Sequence, residues 1–412
     1  MSAVKYWLWL TTRGQMPGMF AAKLLEHFGT PERAYFAGEA ECEAVETVPK
    51  SVREALQDKD LSHVETILND CETLNIRILT IQDTEYPERL RQLNDAPVVL
   101  YVRGNLPRMD EEAAIAVVGA RDATPYGTLT AEKLGLGLAQ QGAVVVSGSA
   151  RGVDSAALRG ALKGGGRVVS VLGNGIDVIY PWNNGDLYDD VAAAGALVSE
   201  FPPGTPPEGK NFPIRNRIIA GLSLGVTVVE GTMRSGSLIT ARWALEQDRD
   251  VFAVPGNIDA PMSRGPNQLI RRNEARLITD AREILEEYEH LFPAKLRPKA
   301  PLSPETEEAR LNAGRKPPEE PKRRKAPPKE EPKPEENRLV IDLTQAPDSL
   351  TDDEAAVLRA LQGEIQCTAD DLVERTGLPA RRILSALTLL QVRQLVTEDT
   401  GKRFSTAVVL KE

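Results

Sequence analysis

Between Ile76 and Val254 the chain repeats one pattern: a short, continuous apolar run followed by a stretch of different character. The runs are Ile76 to Ile81, Val98 to Val102, Ile115 to Val118, Ala143 to Val146, Val168 to Leu172, Leu197 to Ser199, Val226 to Val229 and Val251 to Val254. They are short and rich in β-branched residues, which argues for strands rather than helices. Strands that are apolar on both faces need cover on both faces. Helical stretches such as Gly127 to Gln141, Ser155 to Lys163 and Ser237 to Gln247 can provide it. The pattern therefore specifies an α/β domain, an extended Rossmann-like, doubly wound and mostly parallel sheet spanning residues 73–292.

The flanks differ in kind. Residues 1–72 read as short helices, with Phe20, Leu24, Leu25 and Phe28 at helical spacing and turn signals at Gly29-Thr30-Pro31 and Val48-Pro49. A helix-hairpin-helix or SAM-like module fits, serving either backbone contact with a nucleic acid or packing alone. Residues 293–347 mix proline with both charge signs, as in Arg315-Lys316-Pro317-Pro318-Glu319-Glu320, and read as a disordered linker. Lys322-Arg323-Arg324-Lys325 could form a basic arm, although the interleaved glutamates favour a plain tether. Residues 348–412 fold again. Thr351 with Glu354 forms a capping box, Thr368 opens a second helix that stops at Gly377, and Pro379 begins a third. Leu395 to Glu398 and Phe404 to Leu410 read as strands, which completes a winged helix. Arg381 and Arg382 on its third helix could meet phosphates or form a solvated face.

The net charge of −10 excludes binding to nucleic acid by bulk electrostatics, so any such role needs a local cationic groove. Three scattered cysteines and three histidines support neither a disulfide framework nor a metal site, and no cofactor is expected. No run approaches the roughly 18 apolar residues of a membrane span. Met1 to Thr12 carries no small-residue cleavage site, so no signal peptide and a cytoplasmic location are expected.

Ligands of parallel sheets bind beyond the carboxyl ends of the strands. Four segments there have unusual composition. In the first, Gly119 and Arg121 follow a strand and Thr124 precedes a helix. Glycine admits a close backbone and arginine forks a phosphate. The second holds Ser147, Gly148, Ala150, Arg151 and Gly152, small residues whose amides and following helix suit an anion, with Asp154 expected to cap that helix. In the third, a loop, Phe212, Arg215, Asn216 and Arg217 crowd together. An aromatic among cations is what sequence-tolerant binding of a single strand requires, whereas a structural reading puts Phe212 in the core and Arg217 in a salt bridge. The fourth runs through Ser235, Gly236 and Ser237 into a helix. No segment decides the matter alone; their convergence on one crevice is the argument.

Several motifs are missing. No G-x-G-x-x-G follows a strand, since Gly135-Leu136-Gly137 lies within a helical pattern. The Gly204 to Lys210 match to a phosphate loop is spoiled by Pro206, Pro207 and Asn211. No Ser-His-Asp set exists near the four segments.

The motifs Val118-Gly119-Ala120-Arg121, Ser147-Gly148-Ser149-Ala150-Arg151-Gly152-Val153-Asp154, Leu172-Gly173-Asn174-Gly175-Ile176-Asp177 with Tyr180-Pro181, Ser199-Glu200-Phe201-Pro202, Phe212-Pro213-Ile214-Arg215-Asn216-Arg217, Ser235-Gly236-Ser237 and Val254-Pro255-Gly256-Asn257 occur in this order. Together they resemble the DNA-processing protein A family, also called DprA or Smf, over about residues 76–290. The resemblance implies binding of single-stranded DNA without chemistry, protection of that strand, and loading of RecA onto it in natural transformation or recombination. It also implies RecA and single-strand binding protein as partners, and a homodimer. By motif, Arg121 would contact a phosphate and the Gly148 to Gly152 loop would supply N–H donors. Phe212, Arg215 and Arg217 would line the strand's path, with Ser235 to Ser237 completing the pocket. The chain departs from the family pattern at Leu158, where a histidine is usual, and at Glu274-Ala275, where Gly-Ala is usual.

Two other functions stay open. A nucleotide hydrolase would use Glu200 and Glu230, but the helix after Ser237 lacks the carboxylate that related hydrolases carry. A nucleotide-sensing adaptor would use the same pocket for a small ligand.

Overall fold

Each apolar run of the middle segment becomes a strand because its residues alternate between two packed faces. In β3 (Ala114–Val118), Ile115 and Val117 join the core on one side of the sheet, and Ala114, Ala116 and Val118 join the core on the other. These relations come from a computed structural model, which describes residues 3–13, 18–298, 300–313, 340–342, 350–362, 367–393, 395–399, 403–406 and 409–411. The chain divides into two compact units, residues 1–319 and 320–412.

The first unit is built on a nine-stranded sheet. With β3 it contains β1 (Arg77–Thr80), β2 (Val99–Gly104), β4 (Val144–Ser147), β5 (Val168–Leu172), β6 (Ala196–Ser199), β7 (Gly225–Val228), β8 (Asp250–Ala253) and β9 (Arg276–Leu277). The strand order is β1-β2-β6-β5-β4-β3-β7-β8-β9. From β6 through β9 all neighbours are parallel, while β1 and β2 form an antiparallel edge joined to β6. The chain runs outward from β3 through β4 and β5 to β6, then returns to place β7 on the other side of β3. Strand order reverses there, and such a switch point opens a crevice between neighbouring strand ends.

Two helices over one face, Pro125–Gln140 and Val153–Lys163, approach unusually closely. A Cβ at Gly135 would lie 2.1 Å from the carbonyl oxygen of Ala157, and one at Gly160 would lie 2.1 Å from that of Glu132. The glycines inside these helices therefore serve backbone-to-backbone packing.

Among the described residues the N-terminal segment holds six helices between Val4 and Thr73. It is not a detached module, because Trp7, Trp9, Leu24 and Leu56 share one apolar cluster with Ile115 and Val117. Part of the region read as a linker is helical. Ser303 caps a Pro304–Leu311 helix, and Arg310 donates to the carbonyls of Leu162 and Gly166. Those carbonyls lie at and just beyond the end of the Val153–Lys163 helix, so the ordering force is tertiary and invisible in local composition.

In the second unit, helices Asp352–Leu361, Ala369–Thr376 and Ala380–Val392 enclose a core of Val357, Leu361, Leu372, Ile383, Leu387 and Phe404 among others. Strands β11 (Cys367–Thr368), β12 (Val396–Asp399) and β13 (Arg403–Thr406) form the wing, in the order β11-β13-β12. Both capping boxes form, Thr351 with Glu354 and Thr368 with Asp371, and Gly377 ends the second helix in the left-handed conformation. The last strand divides in two. Its outer part, β14 (Val409–Lys411), pairs in parallel with β10 (Val340–Asp342), which lies within the segment read as linker. Lys322 to Lys325 lie outside the described residues.

Among the described residues, no helix is long and apolar enough to cross a membrane, and no cluster of His, Cys, Asp and Glu could hold a metal ion.

Candidate nucleic-acid interface

At the switch point the loops after β3, β4 and β7 enclose a crevice of about 430 Å³ together with the helix Asn211–Gly221. Gly119 and Arg121 line it from the first loop and Ala150 from the second. Phe212, Arg215 and Asn216 line it from the helix, with Ser235, Gly236 and Ser237 from the last loop. The sequence segments thus converge, but not every member reaches the crevice.

The third segment differs most from its reading as a loop. Residues 211–221 form a helix, and Pro213 fits because a first helical turn needs no amide donor from it. Helical geometry then separates the two arginines: residues two apart lie about 200° around the axis. Phe212, Arg215, Asn216 and Ile219, spaced i, i+3, i+4 and i+7, all face the crevice. Arg217 points the other way. Its side chain is 3% exposed, with Nη2 2.8 Å from Glu200 Oε1 and Nε 3.0 Å from Asp95 Oδ2. It holds the helix to the body of the domain.

Arg215 is a crevice residue of a particular kind. It is buried, and its Nη1 donates to the carbonyls of Gly148, at 3.1 Å, and Val171. The guanidinium thereby satisfies carbonyls at the ends of β4 and β5. A Cβ at Gly148 would lie 2.7 Å from Arg215 Nη2 and equally close to an oxygen of Asp154, so glycine is what admits both groups.

Asp154 corrects the anion-site reading of the second loop. The residue capping the Val153–Lys163 helix is Gly152, and Asp154 sits buried in its first turn. Burial pushes its carboxyl up to about 6, opposed by Arg215 and by the backbone amides of Ala150, Gly119 and Gly148. The N–H groups expected to receive an external anion already face this internal carboxylate. Gly152 itself has φ of +85°, and a Cβ there would lie 2.3 Å from the carbonyl oxygen of Ala120.

Of three further candidates, two hold the scaffold and one is exposed. Ser147 donates its buried hydroxyl to Val117, at 2.7 Å. Thr124 caps the Pro125–Gln140 helix, and its amide and hydroxyl donate to Glu230 at 2.9 and 2.6 Å. Arg151 is exposed and paired with Asp122. With Arg121, Gly152, Arg159 and Lys163 it lines a second concavity adjoining the crevice. Arg121 and Asp122 border both, so the two form one track.

Two groups remain with capacity for a ligand. Arg121 is exposed, makes no ion pair among the described residues, and its guanidinium lies 4.8 Å from the centre of the Phe212 ring. Ser237 occupies the first turn of the Gly236–Glu246 helix, and its buried hydroxyl has no hydrogen-bond partner among the described residues although it borders the crevice. A cation, an aromatic face and an unsatisfied hydroxyl at a helix N-terminus suit a phosphate beside a base. The carboxylates a hydrolase would need are committed, Glu230 to Thr124 and Glu200 to Arg217. Thr232 and Thr240 of the fourth segment also line the crevice, as does Met262, which no sequence signal marked.

In the second unit, Arg382 is held by Asp353 through two hydrogen bonds, at 2.8 and 2.6 Å, while Arg381 is exposed. The third helix therefore offers phosphates less charge than its sequence suggests.

Known proteins share this architecture. A family model described as DNA recombination-mediator protein A matches residues 77–289, and one for the DprA winged helix domain matches residues 342–402. The protein Smf of Synechocystis sp. is 36% identical over 285 residues, which cover 68% of this chain and 71% of that protein. The DNA processing protein DprA of Streptococcus pneumoniae is 44% identical over 210 residues, covering 51% and 73% respectively. A solved X-ray structure of DprA from Streptococcus pneumoniae superposes with a TM-score of 0.61 at 35% identity, covering 70% of this chain and 99% of that one. With a family match across the whole sheet and its crevice, this chain belongs to the DNA recombination-mediator protein A family, DprA or Smf.

Proposed function

We propose that the crevice binds single-stranded DNA, without chemistry on it, and that the protein protects the strand and loads RecA onto it in natural transformation or recombination. The observation that carries this reading is that the Arg121–Phe212 pair and the Ser237 hydroxyl, without a partner among the described residues, line one crevice. Arg121 takes a phosphate, Phe212 takes a base face, and Ser237 donates to a second phosphate oxygen. The contacts read backbone and stacking, so binding tolerates any sequence. On this reading Gly119, Ala150, Asn216, Ser235 and Gly236 shape the wall, while Arg151 extends the track and Arg217 supports the helix. RecA is the partner that receives the strand, single-strand binding protein is the coat it displaces, and the working form is a homodimer in the cytoplasm.

The test is fluorescence anisotropy of a labelled single-stranded oligonucleotide across a salt series, with the wild type and Arg121→Ala. Tight binding that weakens with salt, and a loss on removing Arg121, support the reading. Equal preference for duplex, or indifference to Arg121, refutes it. Full competition by a mononucleotide would favour the sensing adaptor, and release of free base from nucleoside monophosphates would favour the hydrolase.

A further inference from the structure

We propose that Trp182 is a base-stacking platform that extends the single-strand path beyond the crevice, an inference that rests on the crevice reading above. Tryptophan is normally well covered in a folded chain, because its large apolar surface is costly to leave in water. Trp182 is 87% exposed. It stands on the short turn Trp182–Asn184, and no hydrogen bond of its own holds the indole down among the described residues.

The turn is tied to the crevice from both sides. Before it, the Tyr180 ring lies 5.3 Å from the Phe212 ring at an interplanar angle of 35°. The Tyr188 hydroxyl accepts from the Tyr180 amide at 3.4 Å and donates to its carbonyl at 3.0 Å. After it, Asn184 Nδ2 donates to the Ser149 carbonyl and to the Ser155 hydroxyl, each at 2.9 Å. Those two residues flank the Ala150–Asp154 loop. Arg121, Phe212 and Tyr180 thus touch in series, the first two in the crevice lining and Tyr180 beyond it, and Trp182 follows two residues further along the same turn.

An exposed indole face fits a nucleobase, whichever base the strand presents. The turn that carries it is held by Asn184 and Tyr180 before the strand arrives, so its backbone loses little freedom on binding. A surface indole could instead contact a protein, and continuity with the Phe212 stack is what favours the base.

The experiment compares full-length wild type with Trp182→Phe, Trp182→Tyr, Trp182→Ala and Arg121→Ala, using unlabelled oligothymidylate and an abasic oligomer of equal length. Trp7 and Trp9 are buried and Trp243 is half-buried, so the wild-type minus Trp182→Phe fluorescence isolates the exposed indole. Oligothymidylate should quench that difference and the abasic oligomer should not. Trp182→Ala should weaken oligothymidylate binding roughly 5- to 150-fold, the worth of one stacked base, with an unchanged salt slope and recovery in Trp182→Tyr. Wild-type affinity in Trp182→Ala, while Arg121→Ala still weakens binding, overturns the platform and leaves the crevice reading intact. A changed sedimentation coefficient in Trp182→Ala with unaltered DNA affinity overturns it in favour of a protein contact. If wild type does not bind and Arg121→Ala changes nothing, the crevice reading fails and the platform falls with it.

Discussion

Arg121 and Arg217 look alike in sequence, and the structure assigns them opposite kinds of work, so replacing each should separate binding from stability. In Arg217→Ala the lost guanidinium leaves Glu200 and Asp95 without their shared counter-charge. Removing one partner of a buried ion pair costs about 3–5 kcal/mol. Glu200 and Asp95 keep 19% and 26% of their side-chain exposure, so water can partly resolvate them, which points to the lower end, about 3 kcal/mol. For a unit of this size that lowers Tm by roughly 4–5 °C. The folded fraction should still bind single-stranded DNA with the wild-type salt slope, because no phosphate contact is lost. Arg121→Ala should do the reverse. Its side chain is exposed and makes no ion pair among the described residues, so stability should change by no more than the roughly 0.5–1 kcal/mol of its contact with the Phe212 ring. Loss of a charge-assisted phosphate contact should weaken binding by about 1.5–3 kcal/mol and flatten the salt slope by about 0.7 per phosphate released. Thermal unfolding by circular dichroism and anisotropy titrations at several salt concentrations measure both axes. A flattened salt slope in Arg217→Ala with an unmoved Tm would refute the assignment.

Other expectations are more local. Gly152→Ala places a Cβ 2.3 Å from the Ala120 carbonyl at a positive φ, and the conformation alone costs about 1–3 kcal/mol; an unmoved urea midpoint would contradict the packing described. Asp154, pushed up to about 6 by burial, takes up a proton as pH falls through that value. Its raised folded-state pKa makes the fold more stable below the ordinary carboxyl range and costs stability as pH rises through 6. The crevice loses a negative charge on that protonation, so affinity for single-stranded DNA should rise as pH drops from 7 to 5. Asp154→Asn should flatten this profile, and a variant with the wild-type pH dependence would remove Asp154 from the explanation. A chain ending at residue 313 should keep the full-length affinity and salt slope, since Arg382 is already held by Asp353; a marked loss in anisotropy would show that the second unit supplies phosphate contacts.

The short apolar runs, the caps at Thr351 and Thr368, and the glycine at 377 are local signals, and local physics suffices to form them. Two-sided burial demands a covered parallel sheet, and a parallel sheet that reverses strand order opens a crevice at the strand ends, so the position of the crevice followed from the sequence too. The identity of the working side chains did not. The sequence offered both binding and a salt bridge for Arg217 and could not choose, because a string of residues does not display which way a helix turns. Only once residues 211–221 coil do Phe212 and Arg215 share a face while Arg217 swings toward Asp95 and Glu200. The amides of Gly119, Gly148 and Ala150 look open to an anion in sequence, and folding supplies one in Asp154. Pro304 to Leu311 reads as linker until the Leu162 and Gly166 carbonyls accept from Arg310. In each case the deciding partner is distant along the chain, and a charge or a donor has no settled role until its partner's position is set by the fold.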